Sequence, residues 1–206
     1  MSRSVAEIES RDEVAVAHLR RLALPLWHRR RRGKPPKDFP RITFHEAGHA
    51  LLCWRGDIPL QRITVFPWAK TGLRGVCHFD VLALAPADPD PKNWSEEYFE
   101  AVVMSAFGGP EAERRFVWGD DRQEFSMGSM SDMDMAASLC AARKDSADEA
   151  VNYAGQLQER TRDVVKEPSN WQTIEALASY LLEHHTVMAP QIATIFRVET
   201  QGESQP

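Results

Sequence analysis

Two histidines four residues apart constrain the folding of this chain more than any other feature. His45 and His49 enclose Glu46 in the pattern His-Glu-x-x-His. Residues four apart lie on the same face of an α-helix, so both imidazoles can reach one metal ion from adjacent turns. Glu46 lies off that line and can accept a proton from a water molecule at the ion's open position. We therefore predict a helix over residues 41–54 that carries a zinc site.

The composition of the chain makes a chance occurrence of this pattern rare. About 0.02 matches are expected in 206 residues of this composition, which favours a metal site over two unrelated histidines on a helix surface. A catalytic zinc ion needs a third protein ligand. Leu52 and Arg55 stand where the metzincin extension has glycine and histidine, so we expect an acidic ligand from a later helix. Spacing leaves these candidates open: Glu96, Glu97, Glu100, Glu111, Glu113, Asp132 and Asp134.

Hydrophobic periodicity and turn residues predict a mainly α-helical fold with a small β-sheet, of the α+β class. The predicted strands cover residues 61–66 and 73–79. A helix is predicted to begin at its N-cap Ser95, and Gly108-Gly109-Pro110 is expected to interrupt it so that a second helix begins at Pro110. Residues 119–130 are predicted to form a loop. Further helices are predicted over residues 131–144, 147–166, 170–185 and 190–197.

The two ends of the chain differ in character from the middle. Residues 1–40 form a predicted N-terminal arm, with an amphipathic helix over residues 5–23 and a basic linker over residues 28–37. We interpret the linker as a solvated connector, with an acidic partner, anionic lipid or nucleic acid as alternatives. Residues 41–197 form the predicted folded domain, and residues 198–206 a disordered tail.

Charge and cysteine usage exclude several classes of protein. The net charge of −5 and a pI of about 5.8 disfavour a dedicated nucleic-acid-binding protein. No apolar segment reaches the length of a membrane span, and no secretory signal is visible, so a cytoplasmic protein is expected. The odd number and wide spacing of Cys53, Cys77 and Cys140 predict reduced thiols rather than disulfides or a zinc ribbon.

The segment FHEAGHA, residues 44–50, resembles the peptidase domain of the FtsH-type ATP-dependent zinc metalloproteases. The resemblance covers about residues 41–197. Residues 177–183 are similar to that family's terminal helix. The other matching segments are DIPLQRITVFP (57–67) and LRGV (73–76), which resemble two strands, FGGPEAE (107–113), which resembles Gly-Gly-x-Ala-Ala-Glu, and GSMSDM (128–133), which resembles Gly-Ala-Ser-Asn-Asp-Ile.

The resemblance implies a zincin-like helical metallopeptidase domain and assigns roles to individual residues. Asp132 would be the third zinc ligand beside His45 and His49, rather than a carboxylate that only stabilises a helix N-terminus. Glu113 would steady a ligand histidine. Residues 73–79 would form an edge strand to which a peptide substrate adds. The residues of this strand assigned to the substrate are Leu73, Gly75, Val76 and His78, of which His78 is also a candidate for binding a developing oxyanion.

Two features of the family are absent from these 206 residues. The sequence contains neither a phosphate-binding loop nor a membrane anchor. We therefore expect a stand-alone zinc metalloendopeptidase that needs no ATP of its own and acts on peptides or unfolded chains. A separate ATPase or further copies of the chain are candidate partners. The alternative is a catalytically weak or inactive module of the same fold that binds a partner protein.

Overall fold

The computed structural model describes residues 39–66, 75–79, 90–119 and 129–201. These residues form six α-helices, a three-stranded sheet and one short 3-10 helix, so the predicted α+β class is confirmed. None of the described helices is both long and apolar enough to pass through a bilayer. The elements in chain order are α1 (Phe39–Arg55), β1 (Leu60–Val65), β2 (Gly75–Phe79), the 3-10 helix Pro91–Asn93, α2 (Glu96–Trp118), α3 (Met130–Arg143), α4 (Ala147–Lys166), α5 (Pro168–His184), β3 (Thr186–Met188) and α6 (Ala189–Gln201).

The histidine pair lies on α1, which is the central helix of the fold. Every residue from 45 to 53 is buried. A helix buried all round belongs to the interior of a domain rather than to its surface. The helix ends at Arg55, and Asp57 follows in a left-handed conformation with φ of 54°, which aspartate adopts more readily than most residues. The predicted helix over residues 41–54 is thus confirmed and extended by a few residues.

The sheet has the strand order β2-β1-β3, with both pairs antiparallel. Ile63 on β1 pairs with Cys77 on β2 and with Val187 on β3. The two predicted strands are present, although residues 67–74, including Leu73, lie outside the described residues. The strand β3 is too short for its pattern to have predicted it. Because β1 is central, β2 forms one edge of the sheet that the described residues build, as the resemblance implies.

The helix α2 corrects the sequence analysis. Ser95 caps it as predicted, since its hydroxyl accepts a hydrogen bond from the Tyr98 amide at 3.2 Å. The predicted break at Gly108-Gly109-Pro110 is wrong, because one helix continues to Trp118 with Pro110 inside it. A proline within a helix costs about 3 kcal/mol. Residues 105–114 are all buried, and packing of this segment offsets that cost.

Two apolar clusters form the core. The larger one packs α1, the sheet, α5 and α6 together and includes Leu51, Ile63 and Leu177. The smaller one joins the first half of α2 to α3 and α4 and includes Phe107 and Leu157. Because α2 packs against α1, the two clusters meet along these two helices.

Among the remaining helices, α4 has the predicted bounds, and the bounds of α3 and α5 differ from the predictions by one or two residues. The last helix continues to Gln201 and thus enters the segment predicted as a tail from residue 198. Residues 202–206 and the whole predicted arm up to residue 38 lie outside the described residues, as does most of the predicted loop over residues 119–130.

Candidate metal centre

Three side chains from two helices converge on one point. His45 and His49 come from adjacent turns of α1, and their Nε2 atoms lie 3.0 Å apart. Asp132, in the first turn of α3, places Oδ2 at 3.1 Å from His45 Nε2 and 3.7 Å from His49 Nε2. Among the described residues, this is the group of ligand-type side chains whose donor atoms all lie within 4.8 Å of one another. The structure therefore brings together the three predicted ligands.

Hydrogen bonds determine which ring nitrogen of each histidine is available. His45 Nδ1 lies 2.9 Å from Glu113 Oε2, and His49 Nδ1 lies 2.7 Å from the carbonyl oxygen of Ser105. A carboxylate and a carbonyl can only accept hydrogen bonds, so both Nδ1 atoms carry a hydrogen. In the neutral rings, both Nε2 atoms then have lone pairs that point at the same place. Such a pair requires a cation between them.

The spacing and charge of the cluster fit a divalent metal ion. Two nitrogens bound tetrahedrally at about 2.05 Å from zinc lie about 3.3 Å apart, close to the 3.0 Å found here. Arg41 Nε forms an ion pair with Glu113 Oε1 at 3.3 Å. With neutral histidines and ionised Glu46, Glu113 and Asp132, the cluster and Arg41 together carry a charge of −2, which a divalent ion would balance.

Two glycines leave space for the side chains of His49 and Glu46. A Cβ on Gly109 of α2 would lie 2.3 Å from His49 Nε2, the nitrogen that faces the cluster. A Cβ on Gly75, at the start of β2, would lie 2.3 Å from Glu46 Oε1. Real Cβ atoms do not approach other heavy atoms this closely, so glycine is needed at both positions for the observed side-chain placement.

Glu46 is buried next to the cluster without belonging to it. Burial raises its pKa above the ordinary value, and the positive charges of His49 and His45 oppose this rise. The Cys77 backbone amide on β2 hydrogen-bonds to the Glu46 side chain and also lowers its pKa. A carboxylate whose pKa is raised is a stronger base, which suits general base catalysis.

The titration of the ligands reflects their mutual contacts. Burial disfavours the charged form of His45, but hydrogen bonds with Asp132 and Glu113 outweigh burial and raise its pKa to about 10. Burial also disfavours the charged form of Asp132, yet its contacts with the His45 and His49 rings hold its pKa well below the ordinary range. The pocket thus stabilises one positive charge between the rings and the carboxylate.

The other acidic candidates either pair with arginines elsewhere or are exposed. Glu96 pairs with Arg143 at 2.6 Å, and Glu100 pairs with Arg160 at 2.8 Å. Glu111 is fully buried and bridges Arg114 and Arg162. Glu97 and Asp134 are exposed. Tertiary packing therefore selects Asp132 as the candidate ligand and places Glu113 behind His45.

Two further histidines whose side chains the structure describes, His184 and His185, lie outside the cluster. His184 lies 3.8 Å from Glu183, and His185 packs its ring edge-on against Phe39. His18 and His28 lie outside the described residues. On β2 the backbone of Val76 and His78 pairs with Thr64 and Arg62 of β1. This pairing does not test the oxyanion role of His78, which stays a prediction.

Sequence reasoning missed three residues that surround the ligands. Ser105 supplies a main-chain carbonyl, which any residue type could supply, so the sequence carried no signal for it. Arg41 and Ser129 both contact Glu113, the latter with its hydroxyl 3.1 Å from Oε2. Ser129 is a buried polar residue, and the sequence alone does not show that it is buried.

Comparison with known proteins adds no assignment. No protein-family model matches the sequence, and no curated protein matches it at a significant level. The case for a metal centre therefore depends on the geometry around His45, His49 and Asp132 and on the chemistry of these side chains.

Proposed function

We propose that this chain is a zinc-dependent metalloendopeptidase. The observation that carries the proposal is the convergence of His45, His49 and Asp132 beside the buried, unligated Glu46. Two histidines and one carboxylate also suit iron(II). A buried glutamate next to the ligands favours zinc hydrolysis, because zinc peptidases need a general base at that place. The resemblance of residues 41–197 to the FtsH-type peptidases supports the same conclusion.

In the proposed reaction, three protein ligands leave one coordination position for water or substrate. Zinc would supply a Lewis acid that polarises the scissile carbonyl and lowers the pKa of a water molecule to about 7. Glu113 and the Ser105 carbonyl hold the two imidazoles in the tautomer that presents Nε2. Side-chain exposures of 21% for Asp132 and about 10% for the histidines leave access from the Asp132 side.

Glu46 moves the proton in this mechanism. Its carboxylate accepts a proton from the attacking water as the water oxygen bonds to the carbonyl carbon. It then delivers that proton to the amide nitrogen as the carbon–nitrogen bond breaks. Burial raises the pKa of Glu46, which makes its carboxylate a stronger base than an exposed one and favours the first transfer.

The substrate class follows from the position of β2. This strand forms an edge of the sheet and passes next to Glu46 through Gly75 and the Cys77 amide. An extended peptide that adds to an edge strand gains main-chain hydrogen bonds without regard to most of its sequence. We therefore propose peptides or unfolded protein segments as substrates.

The proposal is tested with Glu46→Gln, which retains the shape of the side chain and removes the base. Purified wild-type protein should contain about one zinc per chain and should cleave unfolded casein. The variant should retain zinc and lose cleavage by a factor of at least about 100. Glu97→Gln, an exposed glutamate on α2, is the matched control and should behave like the wild type.

Three results separate the alternatives. Cleavage that survives Glu46→Gln would remove Glu46 as the base. Purified protein with stoichiometric iron instead of zinc would refute the assigned metal. Wild-type protein that holds zinc but cleaves nothing would favour the partner-binding module over the enzyme.

A further inference from the structure

The hydroxyl of Ser129 lies where the metal ligands of two helices are joined. Ser129 is the residue from which α3 begins, and its Oγ donates a hydrogen bond to Glu113 Oε2 at 3.1 Å. The same Oε2 atom accepts the hydrogen bond from His45 Nδ1 at 2.9 Å. One carboxylate oxygen on α2 thus connects a ligand histidine on α1 with the start of the helix that carries Asp132.

Ser129 does not do what a serine at a helix start usually does. An N-cap serine normally accepts a hydrogen bond from the backbone of the first turn, which stabilises a helix by about 1 kcal/mol. Ser129 makes no such side-chain bond, whereas Ser95 and Ser146 do so at the starts of α2 and α4. The side chain is instead directed into the interior, where Ser129 is 1% exposed.

The position of Ser129 ties it to the third ligand. Ser129 precedes Asp132 by three residues in the first turn of α3, so movement at one is transmitted to the other. The Glu113 carboxylate is held on its other oxygen by Arg41, at 3.3 Å. Glu113 is therefore restrained by contacts from α1 and from the start of α3.

We propose that Ser129 is a positioning residue for the metal centre, which acts through Glu113 to set the distance between Asp132 and His45. This inference rests on the proposed function, since it concerns the same zinc site. The resemblance assigned no role to position 129. Groups that orient metal ligands typically change metal affinity by 10- to 100-fold when they are removed.

The test measures zinc affinity by competition with a chromophoric chelator for the full chain. Ser129→Ala should weaken zinc binding by about tenfold and should alter the visible absorption spectrum of the cobalt-substituted protein, which reports ligand geometry. Ser131→Ala, an exposed serine in the same turn, is the matched control and should change neither. Ser129→Thr retains a hydroxyl and should restore most of the affinity.

A double-mutant cycle shows whether Ser129 acts through Glu113. In the Glu113→Gln background, Ser129→Ala should reduce zinc affinity much less than it does in the wild type. Equal zinc affinity and spectra in the wild type and Ser129→Ala would overturn the inference alone, as would a fully additive cycle. Wild-type protein that binds no zinc would overturn the proposed function, and this inference with it.

Discussion

The imidazole nitrogens of His45 and His49 face each other because their opposite ring nitrogens are both engaged. Glu113 and the Ser105 carbonyl accept hydrogen bonds from Nδ1, which leaves two Nε2 atoms 3.0 Å apart beside Asp132. Two lone pairs at this distance repel unless a cation lies between them. In protein stripped of metal, a proton on His45 meets that requirement, as its raised pKa indicates.

Zinc binding should therefore release a proton. The pKa of His45 rises from 6.5 to about 10 in the folded protein without metal. His45 is then protonated at pH 7.5, and a metal ion must displace that proton. Calorimetric titration of zinc in buffers of different ionisation enthalpy should give about one proton released per ion. The observed affinity should rise about tenfold per pH unit between pH 6.5 and 8.

The stability of the metal-free protein should change with pH in the opposite direction from zinc affinity. The pKa of His45 is higher in the folded protein than in the unfolded chain. Protonated His45 therefore contributes fully to the free energy of unfolding below about pH 6.5, and this contribution is lost as pH rises through about 10. Zinc binding without proton release at pH 7.5 would show that His45 is neutral in the metal-free protein, and would contradict the inference that a proton lies between the two rings when no metal is bound.

The helix α2 supports the site only because it is continuous. Ser105, Gly109 and Glu113 are spaced four residues apart, so they lie on one face of an unbroken helix. The Ser105 carbonyl accepts a hydrogen bond from His49, and Gly109 leaves space for the His49 ring. The Glu113 carboxylate accepts a hydrogen bond from His45. A break at Pro110 would separate Glu113 from the other two. The buried Pro110 thus lies within the segment of α2 that hydrogen-bonds to both histidines of α1.

Contact between the backbones of α1 and α2 should make Gly48 sensitive to substitution. A Cβ at Gly48 would lie 2.3 Å from the Gly108 carbonyl oxygen and 2.5 Å from the Ala112 Cβ, so the helices would have to move apart. Gly48→Ala should lower the free energy of unfolding by about 2–3 kcal/mol in urea denaturation, as overpacking of a core does.

The matched control for that change is Gly155→Ala. Gly155 lies within α4, and its Cβ would meet nothing within 4 Å. Alanine is favoured over glycine inside a helix, so this variant should be stabilised by about 1 kcal/mol. Opposite signs for the two variants are expected. Gly48→Ala with stability equal to or above the wild type would show that the two helices do not approach this closely.

The candidate metal centre lies where the two apolar clusters of the described residues meet. His45 and His49 belong to the helix that the larger apolar cluster surrounds, whereas Asp132 begins a helix of the smaller cluster. Only Ala136 and Cys140 of α3 are buried. Met133 and Leu139 are half-buried against the same cluster, so α3 has few fully buried apolar side chains, and an ion at Asp132 would add a connection between the clusters.

Removal of metal should destabilise the chain and loosen α3 first. A ligand present at 100 times its dissociation constant adds about 2.7 kcal/mol to the free energy of unfolding. Wild-type protein with zinc should unfold at higher urea concentration than protein treated with EDTA, and amide hydrogen exchange in α3 should slow on zinc addition. Asp132→Asn should lose this response to zinc. An unfolding midpoint in the wild type that is indifferent to zinc would argue against a metal centre.

Local sequence was enough to determine the helix that carries His45, Glu46 and His49, since their spacing has chemical meaning only on a helical face. It also determined the cap at Ser95 and the two longer strands, because caps and β-branched alternation act over a few residues. Asp132 and Glu113 could be assigned only through the resemblance.

Tertiary structure alone decided which distant groups meet. Seven carboxylates were open by spacing, and packing of α2 and α3 against α1 brought Asp132 to the histidines and Glu113 behind one of them. The same packing kept α2 continuous across Pro110, where local signals predicted a break. It also buried Ser129 against Glu113. These outcomes depend on contacts between residues far apart in the chain, whose free energy outweighs the local preferences that a sequence displays.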